Sequence, residues 1–344
     1  MLKNHLRHLS CPSCKDQGGE FETKVSCESE THIVDGQLTC KHCQTVFPIF
    51  EEVLELVPPN LQYDSTWEQL KQKYPQEDFG DSSSIAPVKD STLQENQREH
   101  YDHFATDAAT TYDEFEEMTF WKAVDESIQE GWSQLQKEGT FMLDVGCGNG
   151  RSIDRLMDTE LEVIGVDISR AMINKAVLRS KSQKAEARRS FLIADAHNLP
   201  FKSQTFDFAM TSGVMSNVPN PKKSLQQIFN VTTQSGVYFG LENNKSIFRG
   251  IFEVFMNLFS LWKNEKGAEP ELSFRQIQDW ISHDQLKLTH RTTVYLPPHF
   301  YNPFSLPTAG KLLKWTDGLF KLFGFGNHGG LLVFYVTKNS DGSI

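Results

Sequence analysis

The sequence predicts an α/β fold: a mainly parallel, seven-stranded sheet with an antiparallel last strand, helices on both faces, and a small cysteine-bearing module ahead of it. Three observations carry that expectation. From Phe141 onward, short aliphatic and β-branched runs alternate with helical patterns, as in repeated βαβ units. The last two apolar runs flank a long insertion, 296–330, which suits an antiparallel return at the sheet edge. The first sixty residues hold two Cys-x-x-Cys pairs and close with the breaker Pro58-Pro59.

Taken in order, the apolar runs place strands at 141–145, 161–166, 191–194, 206–210, 236–241, 289–295 and 331–337. Helical patterns fall between them, at 150–158, 170–180, 222–231, 246–262 and 273–283. The chain thus divides into a cysteine module over 1–60, a polar connector over 61–139 and an α/β domain over 140–344. Its 344 residues are 38% hydrophobic and 23% charged, with 25 Phe, which excludes global disorder.

The net charge of −11 argues against a broad polyanion footprint, because phosphates are met chiefly by Lys and Arg. Counted by zone the charge is −4, −12 and +5. The acidity belongs to the connector, so the total excludes neither RNA nor an anionic membrane. No apolar stretch approaches the roughly 20 residues that span a bilayer, and the first residues lack a signal-peptide run. The expected location is the cytoplasm, with peripheral contact at a membrane as the option that the Lys-bearing segments below raise.

The first strand, Phe141-Met142-Leu143-Asp144-Val145, runs into Gly146-Cys147-Gly148-Asn149-Gly150 at the opening of a helix. Glycines there permit positive φ and let a ligand lie against bare main chain. The position three after Gly148 is Arg151, which departs from a nicotinamide fingerprint, and no Gly-Lys-Ser/Thr follows to make a phosphate loop. Asp144 would repel a pyrophosphate but suits a ligand bearing an ammonium group. Asp167, 23 positions on, ends the second strand where an acid can accept two ribose hydroxyls, and Asp195 ends the third.

In these motifs, and in Asn198-Leu199-Pro200-Phe201 and Phe206-Asp207-Phe208, residues 140–344 resemble the class I S-adenosylmethionine-dependent methyltransferases, a Rossmann-like fold. The resemblance implies a cofactor site made by Asp144, Gly146, Gly148, Gly150, Asp167, Ile168, Asp195, Ala196 and Ser212. The glycines would line the methionine portion, Asp167 the ribose, Ile168 an adenine face and Asp195 the adenine edge. The chain departs from the quinone-methylating branch at Asn217, where many relatives carry His, and at Gln234-Ser235-Gly236 in place of Pro-Gly-Gly. These departures leave cofactor binding untouched and count against an inherited acid/base role near Asn217.

Cys11, Cys14, Cys40 and Cys43 form two knuckles separated by 25 residues, and four thiolates satisfy a structural tetrahedral Zn2+. The segment from Leu38 to Ile49 resembles the zinc-ribbon activator subunit of tRNA and protein methyltransferases, and the ribbons fused to some rRNA guanine methyltransferases. The ribbon is expected either to dock a protein or substrate, or only to steady the N-terminal segment. Cys27, His42 and Cys147 are expected to take no part in metal binding or catalysis.

The expected acceptor is a small, lipophilic molecule methylated on oxygen or carbon. No Asn-Pro-Pro-Tyr-like motif follows the fourth strand, the helix at 246–262 is strongly apolar, and Lys311-Leu312-Leu313-Lys314-Trp315 and Leu319-Phe320-Lys321-Leu322-Phe323 alternate Lys with apolar groups at helical spacing. Candidates for covering the acceptor or removing its proton are Tyr101, His103, Tyr112, His299, Tyr301 and His328. RNA is the first alternative, supported by the ribbon and by Arg170, Lys175, Arg179, Lys181, Lys184, Arg188 and Arg189. A non-catalytic, cofactor-binding adaptor is the second.

Overall fold

The computed structural model describes residues 1–14, 20–80, 92–106, 118–132, 141–156, 161–246, 271–281, 286–296 and 298–338. Tyr112 and the apolar segment 246–262, except Ser246, lie outside the described residues.

The N-terminal segment forms β1 (Phe21–Glu28), β2 (Ile33–Cys40), β3 (Val46–Phe50) and β4 (Val53–Glu55). The connector contributes α1 (Asp64–Lys73), α2 (Thr92–Thr106) and α3 (Thr119–Trp132). The α/β domain follows with β5 (Phe141–Val145), α4 (Arg151–Leu156), β6 (Glu162–Asp167), α5 (Arg170–Ser182), β7 (Arg189–Ile193), β8 (Phe206–Ser212), α6 (Pro221–Val231), β9 (Thr232–Asn243), α7 (Phe274–Ile281), β10 (Leu286–Thr293), α8 (Leu306–Leu322) and β11 (Leu331–Lys338).

All seven expected strands occur, in the order β7-β6-β5-β8-β9-β11-β10, and β11 pairs antiparallel with both neighbours. The sheet does not stop there. β4 pairs in parallel with β7, Leu54 opposite Leu192 and Glu55 opposite Ile193, so β1–β4 extend it to eleven strands among the described residues. The Leu56 N–H continues the ladder onto the Ile193 carbonyl at 2.9 Å.

Side chains alternate across a strand, and here the alternation feeds two cores. Phe141, Leu143, Phe206, Ala209, Leu332 and Phe334 point to the face covered by α6, α7 and the ribbon. Met142, Phe208, Met210 and Val333 point to the face covered by α3, α5 and α8. Strands buried on both faces read as nearly continuous apolar runs, which is why the parallel strands stood out in the sequence. Among the described residues no helix is long and apolar enough to cross a membrane.

The cysteine knuckle also leans on the α/β domain. The Ser10 N–H donates to the Pro200 carbonyl (2.9 Å), the Lys202 N–H to the His8 carbonyl (2.9 Å), and the Asn198 amide to the Pro12 carbonyl (2.7 Å). Leu54 is fully buried in the core it shares with Leu192. A Leu54→Ala substitution should therefore cost about 2–5 kcal/mol. Calorimetry should show one cooperative unfolding transition moved to lower temperature, with no separate early melting of the ribbon.

Candidate functional site

The strand ends bring the predicted acids and glycines together. After β5 the chain turns through Gly146 (φ 70°), Gly148 (φ 53°) and Gly150 (φ 80°), backbone angles that side chains other than glycine rarely adopt. A Cβ at Gly146 would collide with Val214 Cγ2 from the loop after β8. The turn is pinned to β6: the Gly146 and Cys147 N–H groups donate to the Val166 carbonyl at 2.7 and 3.0 Å. Cys147 is buried and packs near Gly165, so its thiol is a core group.

Asp167 ends β6 and orders two turns at once. Its carboxylate accepts the Gly148 N–H (3.0 Å) and the Ser169 N–H (2.9 Å). Ser169 caps α5 by accepting the Met172 N–H, and Ile168 beside it is buried. Asp195 lies two residues past β7 and caps the following turn, accepting the His197 N–H (2.9 Å) and lying 2.7 Å from His197 Nδ1. Ala196 and Ser212 are half-buried at the same edge of the sheet.

Asp144 is buried at the end of β5, and its Oδ2 has no hydrogen-bond partner. Burial pushes its carboxyl up to about 8, and the charge on Asp167 adds to the rise. Burial likewise pushes Asp167 up to about 6, against the N–H groups of Ser169, Gly148 and Ile168 that favour its charged form. A buried acid with an unsatisfied oxygen is costly alone and is relieved by a cationic ligand. The cradle therefore fits a nucleoside that carries positive charge.

Several residues that shape this cradle were not singled out in the sequence. Tyr63 and Asp102 come from the connector. The Tyr63 hydroxyl donates to Asp102 Oδ2 (2.7 Å) and accepts the Arg170 N–H (3.0 Å), while Asp102 Oδ1 accepts Ser169 Oγ (2.6 Å) and the Ala171 N–H (3.2 Å). Glu55 of β4, fully buried, pairs with Arg170 and Thr66 and accepts the Tyr63 N–H at 2.9 Å. On β9, buried Glu242 accepts the N–H groups of Val214 (3.0 Å), Met215 (2.8 Å) and Ser216 (3.3 Å), which fixes the loop that meets Gly146. Burial pushes Glu242 up to about 7, opposed by those donors. An acid inside the apolar run Tyr238-Phe239-Gly240-Leu241-Glu242 was the available signal.

The candidate acceptor-side residues scatter. Tyr101 is half-buried and His103 exposed on α2. Tyr301 is fully buried, its ring 5.1 Å from that of Phe120 and its hydroxyl taken by the Leu296 N–H. That placement makes it a packing residue. His328 is half-buried with its ring 6.4 Å from that of Phe325. The side chain of His299 lies outside the described residues, although its backbone belongs to the Pro298–Phe300 turn. Asn217 spends its amide on the Gly213 carbonyl (2.7 Å) and Ser216 Oγ (3.3 Å).

At the ribbon, the Sγ atoms of Cys11, Cys14, Cys40 and Cys43 all lie within 4.8 Å of one another, with Cys11–Cys43 at 3.6 Å and Cys14–Cys40 at 3.5 Å. A tetrahedral zinc with bonds of about 2.3 Å requires sulfurs about 3.8 Å apart, so the donor set fits. Burial pushes the Cys11 thiol far up and Cys14 to about 11. Burial also opposes ionisation of Cys43, but hydrogen bonds from Thr45 bring that thiol down to about 7. Four thiolates this close need a cation. Cys27 and His42 are no part of the cluster.

Comparison with known proteins bears on both parts. Residues 136–267 match the family described as a methyltransferase domain, and residues 4–52 that of Trm112p-like proteins. The chain thus carries a segment that matches methyltransferase domains and one that matches Trm112p-like proteins, with strand-end acids and glycines that fit S-adenosylmethionine and four cysteines that fit zinc.

It is similar to an uncharacterized protein of Methanocaldococcus jannaschii, 28% identical over 50% of this chain and 63% of that one. A demethylmenaquinone methyltransferase of Symbiobacterium thermophilum is 31% identical over 42% of this chain and 54% of that one. A probable 18S rRNA (guanine-N(7))-methyltransferase of Dictyostelium discoideum is 31% identical over 32% and 42%. The chain spans less than two thirds of each of these relatives.

Two outcomes are expected. Metal analysis of the purified chain should find one zinc per molecule, with Cys11 and Cys14 protected from alkylation until it is removed. A cationic ligand favours the charged forms of Asp144 and Asp167, so affinity for S-adenosylmethionine should rise as pH increases from about 6 to about 8 and level off above. Protons should be released on binding, which calorimetry in buffers of different ionisation enthalpy reads directly. An affinity flat across that range contradicts the assignment of these two acids.

Proposed function

We propose that this chain transfers the methyl group of S-adenosylmethionine to a small, lipophilic acceptor, at oxygen or carbon. The observation that carries the reading is the cradle itself: a left-handed glycine turn between two acids raised by burial, Asp144 and Asp167. The cofactor supplies an electrophilic methyl on a sulfonium, and the chain supplies position. Asp167 orients the ribose while holding the Gly148 and Ser169 N–H groups. Gly146 lets Val214 pack against the turn, and Glu242 holds Val214 there.

In-line displacement gains most from alignment and exclusion of water, so a general base is required only where the acceptor loses a proton. Asn217, engaged with Gly213 and Ser216, is not placed as such a base. An acceptor that needs little acid/base help, such as an activated ring carbon or an acidic hydroxyl, suits this site. The similarity to a demethylmenaquinone methyltransferase supports a lipophilic acceptor.

RNA is the second reading, favoured by the Trm112p-like ribbon and the rRNA methyltransferase among the relatives. Its main support within the α/β domain is weakened by pairing. Arg170 meets Glu55, Arg179 meets Asp154 at 3.7 Å, Lys181 meets Glu52 at 3.1 Å, and Arg189 meets Asp154 at 2.5 Å. Cations already matched by acids offer little to phosphate.

The test is incubation of the purified chain with methyl-labelled S-adenosylmethionine and a cell extract, then separation into RNA, protein and organic-soluble fractions. Label is expected in the organic-soluble fraction, and Asp167→Ala should weaken cofactor binding about 10–100-fold and remove that label. Label in RNA selects the second reading. Tight cofactor binding with no label in any fraction selects the non-catalytic adaptor.

A further inference from the structure

Helix α8 has two unlike faces. Ala309, Leu313 and Thr316 point inward, and Ala309 and Leu313 pack in one core with Phe120, Ala123 and Val124 of α3. On the outer side, Trp315 and Leu322 stand two helical turns apart at 62% and 82% exposure, and Phe323, just past the helix, is 67% exposed. Phe325 after the helix and Phe304 ahead of it are also exposed. Large apolar side chains gathered on one surface mark a contact site, whereas single exposed ones mean little.

Charge selects the occupant. Helix α8 itself carries three lysines and a single acid, Asp317, in a chain whose net charge is −11. Lys311, Lys314 and Lys321 are exposed on α8 itself, with Lys321 reaching Asp317 at 2.5 Å. A second copy of this chain would set two cationic faces against each other. A polyphosphate chain would satisfy the lysines but offers nothing to Leu322 or Phe323.

We propose that α8 and the turn after it form a docking surface for an anionic lipid bilayer. Trp315, Leu322 and Phe323 enter the boundary between headgroups and acyl chains, and Lys311 lies against the anionic headgroups. The helix rests in the plane of the interface, held to the protein by its inner face on α3. A lipophilic acceptor would then be met where it dissolves. The docking itself does not depend on methyl transfer, since it needs neither donor nor acceptor.

Flotation of the full, zinc-loaded chain tests this, using vesicles of phosphatidylcholine alone and with about one third phosphatidylglycerol, at low and high salt. The chain should float with the anionic vesicles, less so at high salt. The triple change Trp315→Ser, Leu322→Ser, Phe323→Ser should reduce partitioning at least about tenfold. Lys311→Glu should reduce the preference for anionic lipid. An unchanged melting temperature and S-adenosylmethionine affinity would show that each variant folds. A parent chain that never floats, or a triple variant that floats like the parent, overturns the proposal. Retention of bulk RNA by the parent, undiminished by the triple change and without vesicle binding, assigns the face to RNA and overturns it equally.

Discussion

The parallel pairing of Val53–Glu55 with Arg189–Ile193 is the contact on which the rest of the molecule depends. It makes the Trm112p-like ribbon the outer strands of the methyltransferase sheet, sharing a core with it. Backbone pairing fixes register, and register here decides where Glu55 falls. One residue of slip would turn Leu54 out of the core and carry Glu55 away from Arg170. In place, Glu55 is a fully buried acid facing a guanidinium, and removing either partner from such a pair leaves an uncompensated charge at a cost of about 3–5 kcal/mol.

From that strand the hydrogen bonds run into the candidate cofactor site. Glu55 fixes Tyr63, Tyr63 fixes Asp102 and the start of α5, and Asp102 holds Ser169, two residues after Asp167. On the other side the cysteine knuckle grips the loop that follows Asp195, through Pro12, Ser10 and His8. The two acid-bearing turns are thus each braced by segments outside the α/β domain. The connector's acidity acquires a local meaning as well. Asp102 accepts N–H and hydroxyl donors at the start of α5, and Asp125 meets Arg151 at 3.0 Å where the glycine turn opens into α4.

The sheet and the glycine turn were legible because their signals are side-chain signals: apolar runs, glycines at fixed spacing and acids at strand ends. The thiol cluster was legible for the same reason. The β4–β7 pairing was not, since main-chain hydrogen bonds leave no mark on side-chain identity and three residues are too short a run to read as a strand. Glu55 and Glu242 each interrupt an apolar run, and such acids cannot be told from surface residues until the fold shows them buried. Tyr301 looked chemically apt in sequence, and Asn217 stood out as a departure from His. Their polar groups are already engaged, by Leu296 and by Gly213 and Ser216, which only three-dimensional neighbours reveal.

The central claim is that ribbon and cofactor site are one mechanical unit, and metal removal reads it most directly. S-adenosylmethionine affinity measured by calorimetry on zinc-loaded chain and on chain stripped with a chelator, with circular dichroism verifying that the α/β sheet persists, separates the possibilities. Loss of the knuckle's grip on Asn198 and Pro200 should loosen the Asp195 turn and weaken binding about tenfold or more, equivalent to about 1.4 kcal/mol. An affinity unchanged in the metal-free, still-folded protein would contradict the account.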